Sequence, residues 1–300
     1  MSEKANILII TATKVESSAV LDAFKKATGK EATSQSIRSR VYFDFGMVNG
    51  ARIFMTKCEM GSNSLGASQQ AVAKGIDALK PSAVIMVGIA FGVDEEKQAI
   101  GEILVSQQLQ LYDLQKVGTR QKKSNIILRG DKPHASTWLF NHFDSADQTW
   151  KGANVHFGLV LSGEKLVDNF DYREQLKGFG PEAIGGEMEG AGLYVSCQDK
   201  KVDWIVVKGI CDWADGKKAE DKKERQKTAA ENSVAFLLHA LQFAAFDWES
   251  KEQKATTGNQ TINNSGSGGN ATGHSVAAGA GGVAVSGNVG TVIINSQASK

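Results

Sequence analysis

Short runs of apolar residues alternate along the chain with segments whose apolar residues recur at helical spacing. Runs rich in Val, Ile and Leu are typical of strands buried on both faces, and the segments between them are typical of amphipathic helices. Strands are predicted at 6–11, 83–92, 103–110, 155–161 and 202–207. Because strands and helices alternate, the pattern predicts the α/β class, with helices packed against a central sheet.

One connection is predicted to be a hairpin. Residues 41–45 and 52–56 are two strand-like runs, and Asn49 and Gly50 lie between them. Asn-Gly is favoured in the tight turns that join antiparallel strands, because both residues tolerate a positive φ. We therefore expect one antiparallel pair next to the parallel strands.

The stretch from 182 to 216 carries three acidic residues where two neighbouring strands are predicted to end. Glu187 and Glu189 precede a segment with helical spacing, and Asp212 follows the strand run at 202–207. The pattern predicts strand, helix and strand. Since ligands bind at the carboxyl ends of the strands in open α/β sheets, we expect both acidic groups to face one cleft.

A fourth carboxylate follows the first predicted strand. Glu16 lies at the end of the polar turn 12–16, which leads into a predicted helix on the ligand side of the sheet. Two interpretations remain open here. Glu16 is either a site residue in the same cleft or a carboxylate that stabilises a helix N-terminus through the helix dipole.

Two motifs in the acidic stretch resemble a known family. The Glu-Met-Glu-Gly of 187–190 and the Cys-Asp-Trp-Ala-Asp of 211–215 are similar, in order and spacing, to the paired signatures of the nucleoside phosphorylase superfamily. The resemblance is greatest to its hydrolytic branch, the methylthioadenosine/adenosylhomocysteine nucleosidases and AMP nucleosidases. It implies a catalytic domain over residues 1–248 with a three-layer fold, in which helices flank a central mixed, mostly parallel twisted sheet. It also implies cleavage of a purine N-glycosidic bond without a metal or an organic cofactor.

The resemblance implies a role for each acidic residue. Hydrolysis of an N-glycosidic bond passes through an oxocarbenium-like sugar, so the enzyme must protonate the base, stabilise the sugar and supply water. Asp212 is expected to be the general acid, and Glu189 is expected to accept hydrogen bonds from the ribose hydroxyls. Glu16, together with Glu187, is expected to orient the water, and Met188 to lie beneath the sugar. The alternatives are that Glu187 or Glu189 is a helix-start carboxylate and that Met188 is a core residue.

Three loops complete the binding site that the resemblance implies. Their candidate substrate-binding residues are Met60, Gly88, Ile89, Ala90, Leu166 and Val167. The first belongs to a glycine-bearing loop beside the sugar, and the next three belong to a loop beneath the nucleoside. The last two are either apolar walls beside the purine or part of the helix that follows. The 162–167 loop lacks the aromatic residue that often stacks on the base there, so the identity of the base stays open.

Two apolar residues make water the expected nucleophile. Phosphorylases of the superfamily usually carry an arginine two residues before the first glycine of the loop at 88–92 and a serine just after it, and both contact phosphate. This chain has Met86 and Ile89 at those places. A dianionic phosphate needs fixed donors, preferably arginine. We therefore expect a purine nucleosidase. A phosphate-dependent phosphorylase and a non-catalytic ligand-sensing or assembly module remain the alternatives.

Two further segments have open interpretations. The segment 119–152 carries aromatic residues among polar ones, and it is either a helix and loop on the flank of the domain or a lid that covers the base. The basic run 217–227 is either a solvated helix face or a site for a nucleotide phosphate.

The composition argues against several other classes. A formal net charge of +1 gives no electrostatic reason to expect nucleic acid or a membrane as a partner. Cys58, Cys197 and Cys211 show neither metal-site spacing nor a disulfide framework, which favours a reducing compartment. With no signal peptide and no run of about 20 apolar residues, we expect a cytoplasmic protein. The family resemblance also implies a homo-oligomer.

The composition changes after residue 248. Residues 258–299 include no acidic residue, Lys, Arg, Pro, Phe, Tyr or Trp, and residues 283–295 alternate small or polar residues with β-branched ones. Residues 249–300 are predicted to be a low-complexity tail, either a disordered linker or a segment that self-assembles as cross-β. The second interpretation resembles the amyloid-like motifs that follow effector domains in bacterial immune proteins of the NLR type. It implies an NLR-type or self partner and a role in antiphage defence.

Overall fold

The structure is a computed structural model, and it describes residues 4–120, 123–217, 219 and 221–246. The predicted tail, residues 249–300, lies outside these residues. The strands are β1 (Ile7–Thr11), β2 (Thr33–Ile37), β3 (Arg40–Val48), β4 (Ala51–Lys57), β5 (Ala83–Gly92), β6 (Ile103–Leu111), β7 (Gln115–Arg120), β8 (Lys123–Leu128), β9 (Val155–Ser162), β10 (Ala183–Glu187) and β11 (Asp203–Asp212). The helices are α1 (Lys14–Thr28), α2 (Ser68–Leu79), α3 (Thr137–Asp147), α4 (Phe170–Phe179), α5 (Gly190–Lys200) and α6 (Lys222–Phe243).

A nine-stranded mixed sheet forms the centre of the fold, in the order β10-β9-β6-β11-β5-β1-β4-β3-β2. Its middle strand β5 is parallel to β1 and β11, the strands on either side of it in this order, and the end of β5 also pairs antiparallel with β10. Helices α1 and α3 pack against α6, and α2 packs against α5. The prediction of an α/β fold with a central mixed sheet flanked by helices is therefore confirmed.

The core lies along β1 and β5. Every residue of β1 is buried, and every residue of β5 except the half-buried Ile89 is buried. Such continuous apolar runs are stable where helices cover the sheet on both faces. The run pattern in the sequence identified both strands for this reason.

The predicted hairpin is confirmed. β3 pairs antiparallel with β4, and Val48 lies opposite Ala51 across the turn. Asn49 has φ 46° and Gly50 has φ 80°, the left-handed values that a tight hairpin turn requires at both positions.

The two acidic strands are not neighbours, contrary to the sequence prediction. β10 and β11 lie on either side of the end of β5, where Phe91 is opposite Gly186 on one side and Asp212 on the other. Because β10 pairs with both β9 and β5, the strands β5, β11, β6, β9 and β10 close into a ring. The ring brings the ends of β10 and β11 together although the two strands do not pair.

The aromatic residues of the 119–152 segment pack on the flank of the fold. The ring of Phe143 lies 5.9 Å from that of Phe236 on α6, and the ring of Trp150 lies 5.4 Å from it. None of the described residues of this segment lines the cavity of the next section. The structure therefore favours the flank interpretation over the lid. The segment also contains β8, which has no buried-strand pattern in the sequence and was not predicted.

The three cysteines are buried thiols. In the described part of the chain, no helix is both long and apolar enough to cross a membrane.

Candidate active site

A cavity with about 560 Å³ of empty space, part of it open to solvent, lies where the ends of β1, β5 and β11 meet the turn after β10. The predicted site residues that line it are Glu16, Met60, Ile89, Ala90, Leu166, Val167, Glu187, Met188, Glu189 and Asp212. The structure thus brings together residues from six separate places in the sequence.

Gly88 does not line the cavity but lies behind one of the carboxylates. A Cβ added to Gly88 would fall 2.1 Å from Oε1 of Glu16. The glycine therefore allows the Glu16 side chain to lie directly against β5.

Glu16 caps the start of α1, and its side chain also borders the cavity. Its Oε2 accepts hydrogen bonds from the backbone N–H groups of Ala12 and Thr13, both at 2.7 Å, and Thr13 in turn caps α1. Its Oε1 accepts a bond of 2.9 Å from the N–H of Ile89 on β5. The side chain is 1% exposed and borders the cavity. The capping box therefore fixes the Glu16 carboxylate at the edge of the cavity.

Glu187 is a fully enclosed carboxylate at the end of β10. It accepts hydrogen bonds from the N–H of Glu189 at 2.9 Å and from the N–H of Gly190 at 2.9 and 3.0 Å. Burial raises the pKa of Glu187, and Lys208 acts in the opposite direction. Glu187 therefore stabilises the start of α5, as the helix-start alternative predicted, and it also borders the cavity.

Glu189 is held from two sides. Its Oε1 accepts a hydrogen bond of 3.2 Å from the N–H of Gly61, and its Oε2 accepts one of 3.0 Å from Nζ of Lys208. Its backbone carbonyl accepts a bond of 2.6 Å from Oγ of Ser68 at the start of α2. The carboxylate is therefore fixed in direction by protein groups, which is the preorganisation that electrostatic catalysis needs.

Lys208 is the main residue that the sequence analysis missed. It is 1% exposed, and its Nζ lies 3.0 Å from Glu189 and 3.6 Å from Glu187. Burial alone would lower the pKa of Lys208, but the charges of Glu189, Glu16 and Glu187 outweigh burial and raise it above its ordinary value. A buried ammonium is tolerated only when it is paired in this way.

The sequence did contain a signal for Lys208. β11 runs from Asp203 to Asp212 and is buried along almost all of its length, so a lysine in its middle is a charge inside an apolar strand. The predicted strand stopped at residue 207, one position before it. Since lysine is almost never fully buried unless it is paired, this exception pointed to acidic partners.

Asp212 reaches the cavity through an irregularity in β11. The register with β5 shifts between Ile210 and Asp212, so Cys211 is the extra residue of a bulge. Bulges redirect side chains and are common next to active sites. Asp212 is 3% exposed, and its Oδ1 accepts a hydrogen bond of 3.0 Å from the N–H of Ala214.

An aromatic side chain lines the cavity at a place that the sequence analysis did not consider. Phe91, at the end of β5, is 5% exposed and borders the cavity. A Cβ on Gly186 would lie 2.2 Å from its ring, so the glycine provides the space for it. Leu166 and Met60, in contrast, are 58% and 49% exposed at the cavity mouth.

The polar lining supports water rather than phosphate as the nucleophile. Among the described residues that line the cavity, Lys165 is the only cation, and its Nζ is paired with Asp113 at 2.6 Å. Ile89 borders the cavity as predicted, but Met86 is a core residue of β5 and does not. Gln226 of α6 also lines the cavity, so the end of the basic run 217–227 lies beside it. In the described part of the chain, no cluster of His, Cys, Asp or Glu is arranged to hold a metal ion.

Comparison with known proteins identifies relatives of this arrangement. The model of the phosphorylase superfamily matches residues 6–242. The death domain-containing ATP nucleosidase of Amphimedon queenslandica is 27% identical over 260 residues, which are 78% of this chain and 48% of that protein. The chain thus spans about half the length of that relative.

Bacterial proteins are similar over most of their own length. The 5′-methylthioadenosine/S-adenosylhomocysteine nucleosidase of Haemophilus influenzae (strain PittEE) is 26% identical over 213 residues, 70% of this chain and 90% of the relative. The crystal structure of the enzyme of the same name from Neisseria meningitidis superposes with a TM-score of 0.65 at 20% identity, over 79% of this chain and 98% of that one. At this identity the structural likeness establishes the fold.

Proposed function

The chain belongs to the phosphorylase superfamily, and we propose that it is a purine nucleosidase, which hydrolyses the N-glycosidic bond of a purine nucleoside or nucleotide to free base and sugar. The observation that carries the proposal is the arrangement of Glu16, Glu189 and Asp212 around one cavity, although they come from distant parts of the chain. The three roles that such a hydrolysis needs are an acid for the base, a negative charge for the sugar and an anchor for water.

Asp212 is the residue that we assign to protonation of the purine. It lies at the end of a rigid strand, and its Oδ1 is oriented by the N–H of Ala214. Phe91 is the neighbouring residue of β5 and provides an apolar face for the ring. Protonation of the base makes it a better leaving group, which is the ordinary contribution of a general acid.

Glu189 is the residue that we assign to the sugar. A carboxylate only accepts hydrogen bonds, so it matches the two hydroxyl donors of a ribose. Its attraction for the sugar grows as positive charge develops on the ring, and the transition state is therefore stabilised more than the substrate. The ion pair with Lys208 and the bond from Gly61 keep the carboxylate in place.

Glu16 is the residue that we assign to the attacking water. Three backbone N–H groups hold its two oxygens in place, and the residue borders the cavity in which a water would attack. The apolar Ile89 next to it offers no side-chain donor for phosphate. Hydrolysis is therefore preferred over phosphorolysis.

The substrate is expected to contain adenine. The sponge relative is called an ATP nucleosidase, and the bacterial relatives are called methylthioadenosine/adenosylhomocysteine nucleosidases. All three named compounds carry adenine on ribose and differ at the 5′ position. The compounds to test are therefore adenosine, methylthioadenosine, AMP and ATP, which share adenosine and differ at the 5′ position.

The test is to incubate the purified full chain with each of these four compounds, with and without phosphate, and to separate the products by liquid chromatography. We expect adenine and the free sugar from at least one compound, independent of phosphate. Release of sugar 1-phosphate that depends on phosphate would establish the phosphorylase alternative. Binding without turnover, unchanged in Asp212→Asn, would establish a ligand-sensing module. In a nucleosidase, Asp212→Asn lowers kcat by roughly 10²- to 10⁴-fold.

We also propose a homo-oligomer in the cytoplasm. Two apolar side chains that line the cavity, Leu166 and Met60, are 58% and 49% exposed, and they support an interface there. Clusters of exposed apolar side chains are typical of interaction sites. Light scattering of the purified chain measures the mass, and a strictly monomeric protein at micromolar concentration would contradict the proposal. Cell fractionation tests the location.

The role of the tail stays a hypothesis from the sequence. We propose that residues 249–300 join copies of the chain, or connect it to an NLR-type partner, so that the nucleosidase acts as an inducible antiphage effector. Uncharged β-branched segments of this composition favour stacking. Fibre formation by a 258–300 peptide supports self-assembly, whereas a peptide that stays monomeric and unstructured refutes it.

A further inference from the structure

Two loops at the mouth of the cavity contact each other through one side chain. The 58–66 loop precedes α2, and the 163–169 loop follows β9; residues of both line the cavity. The contact between them is made by Glu164, an exposed residue that has no role in the reaction as proposed above.

The carboxylate of Glu164 accepts hydrogen bonds from the 58–66 loop. Both of its oxygens lie 3.1 Å from the backbone N of Ser62, and Oε1 also lies 3.0 Å from Nδ2 of Asn63. The backbone of Glu164 is itself fixed, since its N–H donates a bond of 2.6 Å to Asp113. The next residue, Lys165, pairs with the same aspartate at 2.6 Å. The carboxylate thus extends from an anchored loop to its neighbour.

The bonded segment continues directly to a predicted catalytic carboxylate. The N–H of Gly61, one residue before Ser62, donates to Oε1 of Glu189 at 3.2 Å, and Oγ of Ser62 donates to the carbonyl of Met188 at 2.9 Å. Two successive N–H groups therefore bind two carboxylates, Glu164 at the mouth and Glu189 inside.

The backbone conformation at this place depends on glycine. Gly61 has φ +86°, and a Cβ there would lie 2.8 Å from Oε2 of Glu164. An L-residue would be strained at this φ and would also displace the carboxylate. The Glu164 carboxylate and the loop are therefore in direct contact at Gly61.

We propose that Glu164 is a positioning residue for the reaction. By fixing the Ser62 N–H it keeps the Gly61 N–H directed at Glu189, so that Glu189 meets the ribose in the orientation that stabilises the transition state. The catalytic part of this inference rests on the proposed function, whereas the part that concerns the loop does not. Displacements of about 1 Å in a catalytic group reduce rates by up to about 100-fold, so a residue outside the cavity can matter for kcat.

The kinetic test compares Glu164→Ala and Glu164→Gln with the wild type, on whichever of adenosine, methylthioadenosine, AMP and ATP the wild type hydrolyses fastest. We expect Glu164→Ala to lower kcat roughly 10- to 100-fold with little change in KM, because Glu189 acts mainly in the transition state. Glu164→Gln keeps one acceptor oxygen, so its kcat is expected to lie between that of Glu164→Ala and that of the wild type. The proposal is overturned if kcat of Glu164→Ala stays within about twofold of the wild-type value, including the case in which only KM rises.

A matched control is available on the same loop. Glu59 is an acidic residue that forms only a surface ion pair with Lys57 at 3.5 Å, and it does not line the cavity. Glu59→Gln removes the same charge, so kcat should stay at the wild-type value. A loss as large as that of Glu164→Ala would show that charge at the mouth, not positioning, is responsible.

A second measurement does not depend on activity. Hydrogen–deuterium exchange of the peptide that covers 58–66 reports the protection of the Gly61 and Ser62 amides directly. In Glu164→Ala both amides are expected to exchange about tenfold faster, with the melting temperature and the rest of the chain unchanged. Unchanged exchange overturns the inference even if the wild type hydrolyses none of the four compounds. That inactivity would instead refute the proposed function.

Discussion

Replacing Lys208 by methionine tests the electrostatics of the site. The substitution removes the charge that lies 3.0 Å from Glu189 and 3.6 Å from Glu187 and keeps an unbranched side chain in the same space. Removal of one partner from a buried ion pair costs about 3–5 kcal/mol, because the other partner keeps an uncompensated charge. At about 2–4 °C per kcal/mol for a domain of this size, the melting temperature should fall by roughly 6–20 °C.

The loss of stability in Lys208→Met should depend on pH. Burial raises the pKa of Glu187 above its ordinary value of 4.5, and Lys208 opposes this rise. Without Lys208 the pKa of Glu187 rises further, so the folded variant binds more protons than the unfolded chain at pH values above 4.5. Its stability therefore falls as the pH rises, and the difference from wild type should be larger near pH 8 than near pH 5.

Thermal denaturation followed by circular dichroism, at about pH 5 and about pH 8, measures both effects. The matched control is Lys200→Met, since Lys200 is 38% exposed and forms surface ion pairs with Asp77 and Asp199, both at 3.7 Å. Surface pairs contribute about 0–1 kcal/mol, so this variant should melt close to the wild type. The double variant Glu189→Gln/Lys208→Met should recover part of the loss. A Lys208→Met protein that melts within about 2 °C of wild type near pH 8, or a difference that grows as the pH falls, would refute the reasoning.

Three other substitutions or reagents test the remaining parts of the site. Gly88→Ala places a Cβ 2.1 Å from Oε1 of Glu16, so we expect the free energy of unfolding to fall by about 1–3 kcal/mol and activity to be lost. In the control Gly178→Ala a Cβ meets nothing within 4 Å, so this variant should be as stable as the wild type or more stable. Equal melting temperatures of the two variants would contradict this. Phe91→Leu keeps most of the packing but removes the ring, so KM should rise about tenfold if the base stacks there, and an unchanged KM argues against stacking. Burial raises the pKa of Cys58 to about 12, so a thiol reagent should modify Cys58 near pH 8 only after unfolding. Ellman's assay measures this, and a rapid reaction of the folded protein that is lost in Cys58→Ala would falsify it, since Cys211 borders the cavity and can react separately.

The sequence alone predicted the features that depend on residues close together in the chain. The run pattern identified β1 and β5, the Asn49-Gly50 pair identified the hairpin, and the motifs at 187–190 and 211–215 identified the family. Glu16 was found in the same way, because a capping residue and a strand-end residue are both defined by a few neighbouring positions.

Other features had partial signals in the sequence that were not used. Lys208 was a charge in an apolar run, and Phe91 stood next to a loop already selected as part of the site. Each signal predicts that the side chain is buried, but it does not predict which residues the side chain contacts. The partners follow from the position of β5 between β10 and β11. This arrangement brings Lys208 to Glu187 and Glu189, and it places Phe91 beside Asp212.

The sequence by itself thus determined the buried strands, the hairpin, the family and which carboxylates face one edge of the sheet. The tertiary structure decided that the sheet closes through β10 and β5, that Lys208 lies between two glutamates, and that Glu164 contacts a loop 102 residues earlier in the chain. The physical reason is that spacing along the chain records which side of one element is buried. A contact between elements depends instead on how strands pair and where loops meet, and no short pattern encodes that.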